Sequence, residues 1–236
     1  MDVIAPPAGW LATALLGAVL GLDVVSFPQG MLFRPIVAAT LAGMLGGNPE
    51  AGIILGVTLE LFALETLPIG ASRYPEWGSA AVVGGTLFSV SEGPELVMRA
   101  GAMTIAVVGA IATSWIGGRS MVLLRQLNGR LARNRIDQLA AGSARTVIGL
   151  QLTGLAADFA RGFALTVCAL LVLLPLQLQL LSHWHTNARV ARAIVVAVAA
   201  TVAGGAVWRL VHSVPRARWL FLGGLLLGFA ALGFAQ

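Results

Sequence analysis

The sequence predicts an all-α integral membrane protein in which multiple transmembrane helices alternate with re-entrant or broken half-span hairpins, together with one basic amphipathic surface helix. Three observations predict it. Of 236 residues, 58% are hydrophobic and 11% are charged. Mean hydropathy is +0.88, well above that of soluble domains. Uncharged apolar runs close to the length that crosses a bilayer recur along the chain. Finally, residues 33–71 are apolar enough for a membrane yet hold Arg34, Glu60 and Glu65 and are broken by Pro35, Gly46, Gly47, Pro49 and Pro68. Ionisable groups in such a segment are costly and point to function, and interrupted backbone at membrane depth is tolerated only where it is buried in protein or lines a cavity.

The first run, residues 10–22, is uncharged and ends at Asp23. A spanning helix needs about 20 residues, so the helix is expected to continue through Val24, Val25, Ser26 and Phe27 until Pro28 stops it. Asp23 then lies either at membrane depth or, as a helix-end charge, at the interface. The N-terminus lacks a basic region ahead of its apolar run, so no cleaved signal peptide is expected.

Residues 35–45 are too few to cross a bilayer as a straight helix. Gly46, Gly47, Asn48 and Pro49 form a strong turn signal, and a second short apolar run covers residues 51–59. Paired short segments interrupted by Gly and Pro point to a midplane binding site in transporters. The second run ends in Glu60. Glu65, five residues on, points about 140° away on a regular helix, so the two carboxylates do not face one ligand. Glu60 either lines a substrate site or pairs with Arg34 to tie the two segments together, and the first role is preferred. Thr58 and Gln29 offer complementary polar groups. Glu65, beside Thr66 and Pro68, reads as structural.

Residues 70–77 read as a loop with Arg73 and Glu76 in a solvated or locally paired turn. Residues 78–91 are rich in Gly, Ala and Val, suited to close helix packing in lipid. Residues 92–99 form an interfacial connection, and residues 100–118 a transmembrane helix. Between 119 and 145 six arginines stand against one acid, Asp137, while leucine and isoleucine recur at helical intervals. That pattern predicts an amphipathic helix on the membrane surface, placed on the cytoplasmic side by the positive-inside rule. Residues 146–155 extend it or form a further half-span. Asp158 and Arg161 then precede a clear span at 162–181. His183, Trp184 and His185 read as interfacial anchors rather than metal ligands. Residues 193–208 and 219–234 supply the last two spans, and the whole chain, 1–236, reads as a single membrane domain.

Several function classes are disfavoured. All 15 basic residues are arginine, without the tract expected of a nucleic-acid binder. The single cysteine, Cys168, offers neither a disulfide nor a thiolate metal site. No phosphate-cradling glycine loop, no Ser/His/Asp arrangement and no His placed as a phosphoryl acceptor is evident, so no catalytic residue, metal or cofactor is expected.

FRPIVAATLAG, GNPEAGIILGVTLELFAL and LPIGA resemble the IIC membrane subunit of the mannose, fructose and sorbose family of the bacterial phosphoenolpyruvate-dependent sugar phosphotransferase system. Arg34, Pro35, Thr58, Glu60 and Gly70 match its motif places. Asp23 and Gln29 resemble the acidic and amide residues that precede its Arg-Pro, and residues 128–166 look like its basic surface helix and following segment. Asn48-Pro49 stands where a Gly-Asp turn is common, and Glu65 where relatives carry Gly. The resemblance implies a multi-pass sugar permease subunit in the bacterial inner membrane that is not an enzyme by itself and assembles as an oligomer. It implies a IID membrane subunit and soluble IIA and IIB phosphocarriers as partners. Glu60, Thr58, Asp23, Gln29 and Arg34 are the expected sugar-path residues. A non-transporting scaffold or sensor, and a permease driven by an ion gradient through Glu60 or Glu65, are the alternatives.

Overall fold

The computed structural model describes residues 7–63, 74–91, 96–211 and 216–234. Among these, all regular structure is helical: α1 (Pro7–Asp23), α2 (Pro35–Leu45), α3 (Pro49–Ala63), α4 (Trp77–Ser89), α5 (Leu96–Arg133), α6 (Ile136–Ala140), α7 (Ala144–Ser182), α8 (Ala188–Val211) and α9 (Ala217–Phe234). Three stretches, Val97–Arg133, Ala144–Ser182 and Ala188–Gly205, are long and apolar enough to cross a membrane.

The bundle is organised around α4. All of its residues from Trp77 to Ser89 are buried, and it packs against α1, α2, α3, α5 and α7. Its sequence WGSAAVVGGTLFS explains how one helix can have so many neighbours, because small side chains let other backbones come close in a membrane, where apolar burial alone does not drive helices together. Gly85 is the tightest case toward α2, since a Cβ there would lie 2.7 Å from the Ala39 carbonyl oxygen. Leu20, Leu55, Leu59, Leu87 and Leu170 fill the spaces between these contacts.

The two short apolar runs form the expected antiparallel hairpin. Pro35 opens α2, where its missing N–H costs nothing. Gly46 and Gly47 (φ 77°) end it, and Pro49 opens α3. At 11 residues α2 is about 16 Å long, half the thickness of a bilayer core. Gly52 presses α3 onto α2 so closely that a Cβ there would sit 2.5 Å from the same Ala39 oxygen. The α2 backbone at Ala39 is therefore held between α3 and α4.

Four expectations require correction. The first helix does not run on to Pro28 but ends at Asp23, because the buried Asp23 carboxylate takes backbone amides from the following loop instead of leaving the chain to continue its helix. The basic stretch is not a separate surface helix: residues 119–133 are the distal end of α5, which runs unbroken for 38 residues, and only the short α6 separates it from α7. No proline interrupts the passage from the apolar to the basic part, so the helix has no local reason to stop. At about 57 Å, α5 exceeds the hydrocarbon core by nearly a factor of two. Residues 146–155, likewise, are the start of α7 and continuous with the span at 162–181. Finally, Glu76, expected in a solvated or locally paired turn, is a buried helix cap, described below.

Candidate functional site

The hairpin places its two charges at its open end. Arg34 stands at the N-cap of α2, and Glu60 lies near the end of α3, so the antiparallel arrangement brings together residues 26 apart in sequence. Arg34 Nε donates to Glu60 Oε1 at 2.7 Å and Nη2 donates to the same oxygen, while Nη1 reaches the Ala63 carbonyl at 3.4 Å. Glu60 Oε2 accepts the Ile36 backbone N–H at 3.2 Å, in the first turn of α2, where the helix dipole favours a negative charge. The side chains are 16% and 19% exposed, so the pair is shielded yet reachable.

Counting donors and acceptors shows what the pair has left to offer. A carboxylate has about four acceptor positions and a guanidinium five N–H groups. Oε1 is saturated by two donors, Oε2 keeps one acceptor position, and Arg34 keeps two N–H groups among the described contacts. One acceptor beside two donors suits neighbouring hydroxyls, each of which both donates and accepts.

The other expected residues have distinct placements. Asp23 is fully buried, with Oδ1 accepting Gly30 N–H at 2.6 Å and Oδ2 accepting Phe33 N–H at 3.0 Å. Those bonds hold a loop in which Gln29 and Met31 both adopt φ of 60°, a left-handed conformation uncommon for such residues and sustained only where surroundings fix it. Gln29 is exposed on this loop and donates to the Val25 carbonyl at 2.7 Å. Thr58 is buried and gives its hydroxyl to the Ile54 carbonyl at 2.9 Å. Two residues along a helix it points about 200° from Glu60, so the structure does not bring them to one face. Glu65 and Gly70 lie outside the described residues.

A second polar cluster gathers residues that carried no site assignment from sequence. Glu76 is fully buried and caps α4 by accepting Ser79 N–H at 2.9 Å, while its own N–H donates to the Ser114 carbonyl of α5 at 2.9 Å. On α7, Arg161 donates to Asp158 at 2.8 Å and to Ser120 Oγ at 3.3 Å, and Asp158 accepts the Ser26 hydroxyl from the loop after α1. Glu76 Oε2 and Arg161 Nη2 are buried without a hydrogen-bond partner. The cluster joins the loop after α1 to α5 and α7. Its sequence signal was the Asp-x-x-Arg spacing inside an apolar helix, since burial in such a place requires charges to pair.

Membrane-length helices, a broken-helix hairpin closed by an ion pair, and a central helix buried on every side define an integral membrane protein of discontinuous-helix construction. The family described as the sorbose-specific IIC component of the phosphotransferase system matches residues 10–175, and the chain belongs to that family. It is 39% identical over 69 residues to the fructose permease IIC component of Bacillus subtilis, covering 29% of this chain and 25% of that one. It is 32% identical over 104 residues to the sorbose-specific EIIC component of Lacticaseibacillus casei, covering 44% and 35%. The chain thus matches between a quarter and little more than a third of the length of these relatives. Two solved structures share the fold. One, described as a membrane protein, has a TM-score of 0.69 at 19% identity and covers 98% of this chain and 93% of its own. In the other, of the mannose transporter ManYZ with a microcin, the matching chain has a TM-score of 0.60 at 20% identity, with 98% and 88% covered.

Proposed function

We propose that this chain is the sugar-translocating IIC subunit of a phosphotransferase system in a bacterial inner membrane. In this reading it moves a hexose-type sugar while partner subunits supply the phosphoryl group. Family membership supports the class, and the observation that carries the site is the Arg34–Glu60 pair, which closes the broken hairpin and keeps one acceptor and two donors uncommitted. Glu60 and Arg34 are the proposed hydroxyl-binding groups, and Gln29 extends the same end of the hairpin from its exposed loop. Asp23 fixes that loop, and Thr58 acts through the packing of α3. A IID membrane subunit completes the path, the family resemblance and the mannose-transporter neighbour supporting a partnered assembly. IIA and IIB phosphocarriers deliver phosphate to the entering sugar.

The test uses inverted vesicles carrying this chain with IID, IIA and IIB subunits, and follows sugar phosphorylation dependent on phosphoenolpyruvate. Glu60→Gln, checked for assembly, removes the charge behind a hydroxyl hydrogen bond and is expected to lower transport by about 10- to 100-fold. Undiminished phosphorylation in that variant would remove Glu60 from the path. Uptake of unmodified sugar that needs no phosphoenolpyruvate and collapses with a protonophore would replace this reading with an ion-driven permease.

A further inference from the structure

A cleft of about 540 Å³ lies where α5 changes from apolar to basic, between the Tyr74–Pro75 segment and one stripe of the helix. Trp115, Arg119, Val122 and Gln126 line it at spacings of four, three and four residues, which on a helix is a single face. The wall opposite is held in place by two contacts. Gly118 lets the segment lie directly on α5, since a Cβ there would strike the Tyr74 carbonyl oxygen. Arg125 donates to the Tyr74 hydroxyl and lies 5.0 Å over its ring, so that arginine is already engaged. Arg119 is exposed and forms no hydrogen bond or ion pair among the described residues. It is the cation the cleft presents.

Depth along the helix says what an occupant must be. From Ala100, where the uncharged run of α5 begins after Arg99, to Arg119 is about 28 Å at 1.5 Å per residue, close to the thickness of a hydrocarbon core. Arg119 therefore sits at headgroup level and Trp115, one turn earlier and 59% exposed, at the boundary where indole rings collect. The arginines that follow place this end on the cytoplasmic side. Basic pockets against transmembrane helices at that level suit phospholipid headgroups.

We infer that the cleft bounded by Tyr74, Trp115, Arg119 and Gln126 is a binding site for one anionic phospholipid. Its phosphate pairs with Arg119, its headgroup hydroxyls meet the Gln126 amide, and its acyl chains run past Trp115 into the bilayer. The site is separate from the hairpin charges and does not depend on the transport reading.

The test is native mass spectrometry of the full chain released from detergent, with phosphatidylglycerol or phosphatidylcholine added at equal concentration. The wild-type protein is expected to retain one phosphatidylglycerol with about a fivefold preference, the ratio appropriate to one arginine near the membrane surface. Arg119→Gln, an exposed substitution, should abolish that preference, while Arg130→Gln, outside the cleft on the same helix, should keep it; circular dichroism and size-exclusion profiles confirm that each variant is folded. Equal retention of both lipids, or an unaltered preference in Arg119→Gln, would overturn the assignment. Displacement of the lipid by millimolar inorganic phosphate would overturn it too, identifying a soluble phosphate compound as the ligand. So would an Arg119→Gln protein that keeps its lipid preference but no longer assembles with a partner subunit.

Discussion

Removing the Arg34–Glu60 pair one partner at a time measures how much the broken hairpin relies on it. The two side chains are mostly shielded, two Arg34 N–H groups share Glu60 Oε1, and Oε2 is engaged by the Ile36 amide. Exposed ion pairs contribute about 0.2–1 kcal/mol, whereas breaking a fully buried one costs about 3–5 kcal/mol. At 16% and 19% exposure the loss for either Arg34→Met or Glu60→Met falls between these limits, at about 2–3 kcal/mol. In the double variant no unpaired charge is left at the hairpin's end. It should therefore be little less stable than either single variant, giving a coupling energy of about 1.5–2 kcal/mol. Equilibrium unfolding in mixed detergent micelles, followed by tryptophan fluorescence for the wild type and three variants, supplies the complete cycle. Losses that add to within about 0.5 kcal/mol would show that the two groups act independently, and the pairing would have to be abandoned.

Four other outcomes follow from the contacts described. Asp23→Ala should lose about 2–4 kcal/mol, because two backbone amides lose their acceptor, and Asp23→Asn, which keeps one acceptor oxygen, should lose less; the same unfolding assay ranks them. Asp158→Asn leaves Arg161 as a buried cation and should cost about 3–5 kcal/mol, a loss largely recovered by adding Arg161→Gln if the pair itself matters. Gln177 donates to the Leu87 carbonyl at 2.8 Å and to Ser91, joining α7 to the end of α4, so Gln177→Leu should cost about 1–3 kcal/mol in thermal or chemical unfolding. By contrast, Glu50 and Arg99 meet at 3.8 Å with side chains 76% and 41% exposed, and Glu50→Gln should change stability by no more than about 0.5 kcal/mol.

The sequence alone determined those features that arise from neighbours along the chain. Apolar runs fixed which segments are helical, and the Gly46-Gly47-Asn48-Pro49 signal forced two short helices where one span would otherwise stand, because Gly takes the left-handed turn and Pro opens the next helix. The small residues of α4 foretold its close packing. Arg34 and Glu60 stood out because charges in apolar segments are costly, and their pairing was one of two roles that the residues allowed. What the tertiary structure decided was where each polar group finds its partner. Asp23 ends α1 rather than sitting within a longer helix because amides seven and ten residues later reach its oxygens. Thr58 turns from Glu60 into the core, and Glu76, read from sequence as part of a solvated or locally paired turn, is fully buried because Ser79 and Ser114 lie against it. The basic stretch could be read as helical from its periodicity, but periodicity does not say whether one helix ends before the next begins, and α5 carries the apolar span and the arginines on one axis. Burial of a charge is a property of everything packed around it, and most of what surrounds these charges comes from other helices.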